Sequence, residues 1–150
     1  MGHTYTQLVF HGVFSTKHRK PLLNADILPE LAKVVGGIVR ERDGKLLALN
    51  GTENHIHLLS IFHPSYCLAD MFRDVKAIST NWIHEKFRDM NDFAWQSGYG
   101  AFSVSKSNLS SVQNYIDTQK EHHAEMSFES ELIALLEKHG IEYDKRYIFD

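Results

Sequence analysis

"GTENHIHLLSIF", residues 51–62, opens on turn-forming Gly, Thr and Asn and then runs into an apolar segment broken by His55 and His57. An apolar run this short, bounded by turn residues, reads as a buried strand. Successive strand residues point to opposite faces, so His55 and His57 project together while Ile56 and Leu58 point the other way. Two readings follow. The imidazoles are either hydrogen-bonded core residues or two ligands of a metal site that needs a third ligand from elsewhere in the chain.

Upstream, "KLLAL" gives a second strand, joined to the first by a turn around Asn50 to Asn54. Further back, "TYTQLVFHGVFST" alternates apolar and polar residues from Tyr5, with an irregularity expected near Gly12. "KHRKP" then makes a basic exit loop. Between these strands, Ile27, Leu28, Leu31, Val34, Val35, Ile38 and Val39 recur at helical spacing from Asp26 to about Arg42, where Asp43-Gly44 closes the segment. After Pro64, Leu68, Met71, Phe72, Val75, Ile78 and Trp82 form a second helical stripe. "FAWQSGYGAFSVSKS" supplies another strand through Phe102 and Val104. Ser107 or Asn108 caps a helix expected to reach about His123, and a last helix spans Phe128 to His139 before Gly140. This order predicts an α+β fold: a mixed or antiparallel sheet with helices on one face, and a C-terminal helix as an appendage.

The 150 residues suit one domain covering 1–150. No apolar run approaches the roughly 20 residues that cross a bilayer, and the N-terminus does not read as a signal peptide, so a cytoplasmic location with no membrane partner is expected. Cys67 alone makes no internal disulfide and is expected to be apolar filler beside Leu68. Sixteen Lys and Arg against 19 Asp and Glu give a net charge of −3, so any binding of nucleic acid must rest on local basic patches. The candidates are Lys17, Arg19 and Lys20 in the exit loop, Arg73 and Lys76 on the second helix, Arg88, and Lys106. Tyr99 is a candidate for stacking on unpaired bases, while core packing is the simpler role for Trp95 and Phe102.

"NYIDTQKEHH" offers the missing partner for the histidine strand. Tyr115, Gln119 and His122 or His123 share one helical face. Taken alone, this is an amphipathic helix with a half-buried Tyr and a solvated Gln. Combined with His55 and His57, the Gln amide oxygen makes an open, uncharged donor set suited to an exchangeable Mg²⁺ or Mn²⁺. A tyrosine beside such a cation is a nucleophile for a phosphodiester, whose developing charge the cation stabilises.

"HIHLL" at 55–59, "WQSGYGAFSVS" at 95–105, "YIDTQKEHH" at 115–123 and "KHGIEYDKRYIFD" at the C-terminus together resemble the small single-tyrosine HUH transposases of bacterial and archaeal insertion sequences. The opening "HTYTQLVFHGVFSTKHRKPLL" also resembles that family's first strand and loop. The resemblance implies a ferredoxin-like or RRM-like sheet with a mobile tyrosine-bearing helix, and an enzyme that binds hairpins in single-stranded DNA. It further implies cleavage through a 5′-phosphotyrosine, with Tyr115 as nucleophile, His55, His57 and Gln119 as metal ligands, and His122 and His123 close by. It implies a homodimer, in which the tyrosine helix of one subunit can complete the site of the other. A nickase acting on repeated palindromes and a non-cleaving DNA-binding derivative are the alternatives.

Overall fold

The computed structural model describes residues 2–123 and 126–150. Four strands form one antiparallel sheet: β1 (Val9–Ser15), β2 (Lys45–Gly51), β3 (His55–Ile61) and β4 (Gly100–Ser103), in the order β2-β3-β1-β4. Its helices are α1 (Ile27–Glu41), α2 (Leu68–Lys86), α3 (Leu109–Asp117), the single turn α4 (Gln119–His122) and α5 (Phe128–Lys138). β3 is buried along all but its last residue, because helices cover both of its faces.

Period-two alternation sorts the strand residues into two environments. Phe14, Ile56 and Leu58 meet Leu31, Val35 and Ile38 of α1 and Phe72 and Val75 of α2 in the main core. On the opposite face, Val9, Leu59 and Val104 pack on Ile116 of α3, while Val13 and Phe102 pack on Phe128, Leu132 and Leu136 of α5. α1 and α2 thus take one face, and the tyrosine helix lies with α5 across the other. His11, His55 and His57 share that second face, since Val13 pairs with His57, Ser15 with His55, and His11 with both Leu59 and Phe102.

Four local expectations need correction. β1 starts at Val9, and Tyr5 is 90% exposed outside it. The β1 to β3 register runs unbroken through Gly12. Gly12 is required instead by close approach, since a Cβ there would sit 2.5 Å from the Phe72 ring. Cys67 is exposed just before α2 rather than filling the core. The helix expected to reach His123 also breaks, at Thr118 (φ −107°, ψ 29°). There the Thr118 hydroxyl donates to the Asn114 carbonyl at 2.9 Å, a back-bond that competes with regular helix geometry.

Trp95 and Phe102 are core residues, as expected. Tyr99 lies flat on Phe72, ring centroids 4.2 Å apart. No helix among the described residues is long and apolar enough to cross a membrane.

Candidate metal and tyrosine site

β3 is the rigid element of the site. Its turn, Thr52 to Asn54, places Thr52 Oγ1 at 2.9 Å and Asn54 Oδ1 at 3.0 Å from His55 Nδ1. His57 Nδ1 lies 2.7 Å from His11 Nε2 on β1. Both β3 imidazoles therefore have their Nδ1 engaged on the outer side and turn Nε2 inward, the arrangement by which metal-binding histidines are held in one tautomer.

The opposite wall comes from α3, α4 and α5. Asn50 of β2 donates to the carbonyls of Ile116 (3.0 Å) and Asp117 (3.2 Å), fixing the end of α3 where carbonyls lack helical partners. Tyr115, one residue before the fully buried Ile116, brings its ring to 5.8 Å from that of His57 and stacks on His122 at 4.5 Å. The break at Thr118 turns Gln119 into the interior, where Oε1 lies 3.3 Å from His55 Nε2 and Nε2 donates to the Tyr115 carbonyl. Asn50→Ala is expected to cost about 1 kcal/mol, the usual worth of such a bond, read as a lower urea midpoint with an unchanged denaturant slope.

Sequence reasoning missed two members of the site. Glu131 of α5 is 1% exposed. Its Oε1 lies 2.9 Å from His57 Nε2, 2.9 Å from His123 Nε2 and 3.3 Å from His55 Nε2, while its Oε2 accepts a short hydrogen bond from the Tyr115 hydroxyl. The signal was present in "FESELIALLEK": Glu131 falls on the apolar stripe with Phe128, Leu132 and Leu135, a core position for an acid. His11 was equally legible, at period two between Val9 and Val13.

The electrostatics follow from this packing. Burial lowers the pKa of His11 to about 3, helped by His57, and that of His57 to about 4 despite Glu131. Burial opposes ionisation of Glu131, but hydrogen bonds from His123, His55 and His57 outweigh it and hold the carboxyl far below its ordinary range. Burial opposes the charged form of His123 too, and Glu131 reverses that into a raised pKa. Burial and the adjoining carboxylate both push the Tyr115 phenol up.

His55, His57, His123 and Glu131 present one donor atom each, all within 4.8 Å of one another, and the Gln119 oxygen adjoins His55. Convergent Nε2 atoms, outer-side partners on Nδ1 and a buried oxygen donor are a set that fits a divalent cation. His122 stands outside the cluster, 3.1 Å from the Thr118 hydroxyl. A cleft of about 660 Å³ opens beside Tyr115 and Glu131, walled by Phe102, Val104, Val112 and Leu135.

The basic candidates lie in different settings. Lys17, Lys20, Arg88 and Lys106 are exposed. Arg19 pairs with Glu129 at 2.9 Å, and Arg73 is exposed but bridges to Asp70 and Asp74. The Lys76 ammonium donates to the carbonyls of Gln96, Ser97 and Gly98, where burial lowers its pKa to about 8.

The antiparallel sheet thus carries a His-hydrophobe-His strand whose imidazoles share one face with Tyr115. Residues 4–119 match the family model described as "Transposase IS200 like", and the chain belongs to that family. It is 21% identical over 123 residues to the ISDra2 transposase TnpA of Deinococcus radiodurans, covering 79% of this chain and 87% of that one. A crystal structure of a D. radiodurans R1 protein superposes with a TM-score of 0.64 at 23% identity, over 79% of this chain and 96% of the other. A REP-associated tyrosine transposase bound to a REP hairpin gives 0.61 at 14% identity, over 82% and 73%.

Proposed function

We propose that this chain cleaves and rejoins single-stranded DNA at hairpins through a covalent 5′-phosphotyrosine at Tyr115, with His55, His57 and Gln119 holding Mg²⁺ or Mn²⁺. The observation that carries the reading is the convergence of the β3 imidazoles and the Tyr115 hydroxyl on one buried point. Membership of the transposase family supports the reaction class, and the hairpin held by a neighbour of the same fold supports the substrate.

A bound cation supplies Lewis-acid polarisation of the scissile phosphate oxygens. The chain's own residues do the rest. The β3 turn and His11 fix the two imidazoles, Gln119 ties the ligand wall to the backbone of Tyr115, and Ile116 anchors the helix that aims the phenol. Attack by the Tyr115 oxygen on phosphorus forms the phosphotyrosine ester and breaks the bond between phosphorus and the 3′ oxygen; the phenol gives up its proton as the departing 3′ oxygen takes one up. The bond energy is kept in the ester, so the reverse attack by a 3′-OH rejoins the strand without a nucleotide cofactor. The exposed Lys17, Lys20 and Lys106 are available for phosphate contacts.

The chain's own Tyr115 lies against its own His57, and complementation between site variants distinguishes catalysis within one subunit from the exchange between subunits that the family resemblance implies. A homodimer remains compatible with that arrangement. Hairpin-containing single-stranded DNA incubated with the protein and Mn²⁺ is expected to yield a covalent adduct whose DNA-linked peptide contains Tyr115. Hairpin binding without any adduct would instead identify a non-cleaving derivative. Cleavage confined to genomic palindromes, with no rejoining of ends, would identify a nickase.

A further inference from the structure

We infer that Glu131 is itself a metal ligand: one carboxylate oxygen completes the donor set of His55, His57 and His123, while the other holds the Tyr115 hydroxyl. The inference deepens the proposed function and rests on it for the presence of a cation. It assigns a role to α5, which the mechanism above does not use.

The distances suit shared coordination. Around a small divalent cation with bonds of about 2.1 Å, neighbouring ligand atoms stand about 3.0 Å apart in an octahedron and about 3.4 Å in a tetrahedron. Glu131 Oε1 stands 2.9, 2.9 and 3.3 Å from the three Nε2 atoms, lengths that match such edges. The Gln119 oxygen, 3.3 Å from His55 Nε2, gives another edge.

Charge gives a second argument. A carboxylate at 1% exposure is costly unless cations surround it. Among the described residues, no Lys or Arg contacts Glu131, whose partners are His55, His57, His123 and Tyr115. A divalent cation at the centre of the cluster supplies compensating positive charge to the carboxylate. The fold holds the carboxylate there firmly, because Phe128 and Leu132 on either side of it are buried against Val13 and Phe102. A donor set of imidazoles with one carboxylate also favours Mn²⁺ over Mg²⁺, which prefers oxygen ligands and retains its waters.

The test is Mn²⁺ titration of the full chain without DNA, followed by calorimetry and by the loss of the free-ion electron paramagnetic signal. Wild type and Glu129→Gln are expected to bind equally. Glu131→Gln, which keeps the side-chain volume, and Glu131→Ala should each bind at least about tenfold more weakly, in the range seen when groups supporting a metal are removed. Thermal melts establish that each variant is folded, and Glu131→Gln carries the test if the alanine variant is not.

Unchanged affinity in Glu131→Gln, with binding lost in His57→Ala, would overturn the inference. Tighter binding would overturn it too, making the carboxylate a plug that competes with the cation. No Mn²⁺ binding by wild type would refute the ligand role. Adduct formation at Tyr115 is scored separately, so failure of the catalytic reading remains distinguishable from failure of this one.

Discussion

Tyr115→Phe should reduce covalent adduct formation by at least about 10⁴-fold, in line with losses seen when an enzyme's nucleophile is removed. The substitution deletes one oxygen and leaves the ring. That ring stacks on His122 and lies edge-on to His57, contacts that phenylalanine keeps, so the helix should stay docked. What disappears is the hydrogen bond to Glu131 Oε2, whose oxygen can then take water from the half-open side. Hairpin affinity and Mn²⁺ affinity should therefore change by less than about threefold, while adduct on denaturing gels vanishes. An adduct that survives would place the nucleophile elsewhere. Mixing this variant with His57→Ala gives a further result: with Tyr115 serving its own subunit, the mixture should stay inactive. Restored activity would mean that the tyrosine crosses between subunits.

The histidine strand and the tyrosine were legible because each lies on a regular element whose period fixes its direction. His55 and His57 share a face by strand alternation, whereas the helical spacing that pairs Tyr115 with Gln119 reaches the right residues although the helix breaks between them at Thr118. His11 and Glu131 are legible by the same logic, as polar residues at core positions of a strand and a helix. Each was hidden by its apolar neighbours, Val9 and Val13 for one, Phe128 and Leu132 for the other. Other features lie beyond local periodicity. Nothing in "IDTQK" announces that Thr118 stops the helix, because that break depends on its hydroxyl returning to Asn114 and on Gln119 finding His55 across the sheet. The settings of Arg19 and Lys76 are tertiary as well. Arg19 meets Glu129 from a helix more than a hundred residues away, and Lys76 meets the carbonyls of a loop twenty residues on.

The sheet's other face is tested by Gly12. A Cβ built there lies 2.5 and 2.7 Å from Phe72 ring carbons and 3.3 Å from Leu58. The ring cannot withdraw easily, being 1% exposed and packed among Phe14, Phe62 and Tyr99. Gly12→Ala should thus cost about 1–3 kcal/mol by overpacking, although alanine in a strand is otherwise better than glycine by roughly 0.5–1 kcal/mol. Phe72→Ala, which empties a buried aromatic site, should cost about 3–5 kcal/mol. In the double variant the clash is gone and the new methyl enters vacated space, so the second substitution should be neutral or slightly stabilising. Urea unfolding of all four proteins should then give a favourable coupling of about 1–3 kcal/mol between the two positions. Strict additivity would show that the Phe72 contact is not why residue 12 is glycine. Because Gly12 sits between His11 and Val13 on β1, the clash should also disturb the strand that supports His57, and Mn²⁺ affinity should fall with stability in Gly12→Ala and recover in the double variant.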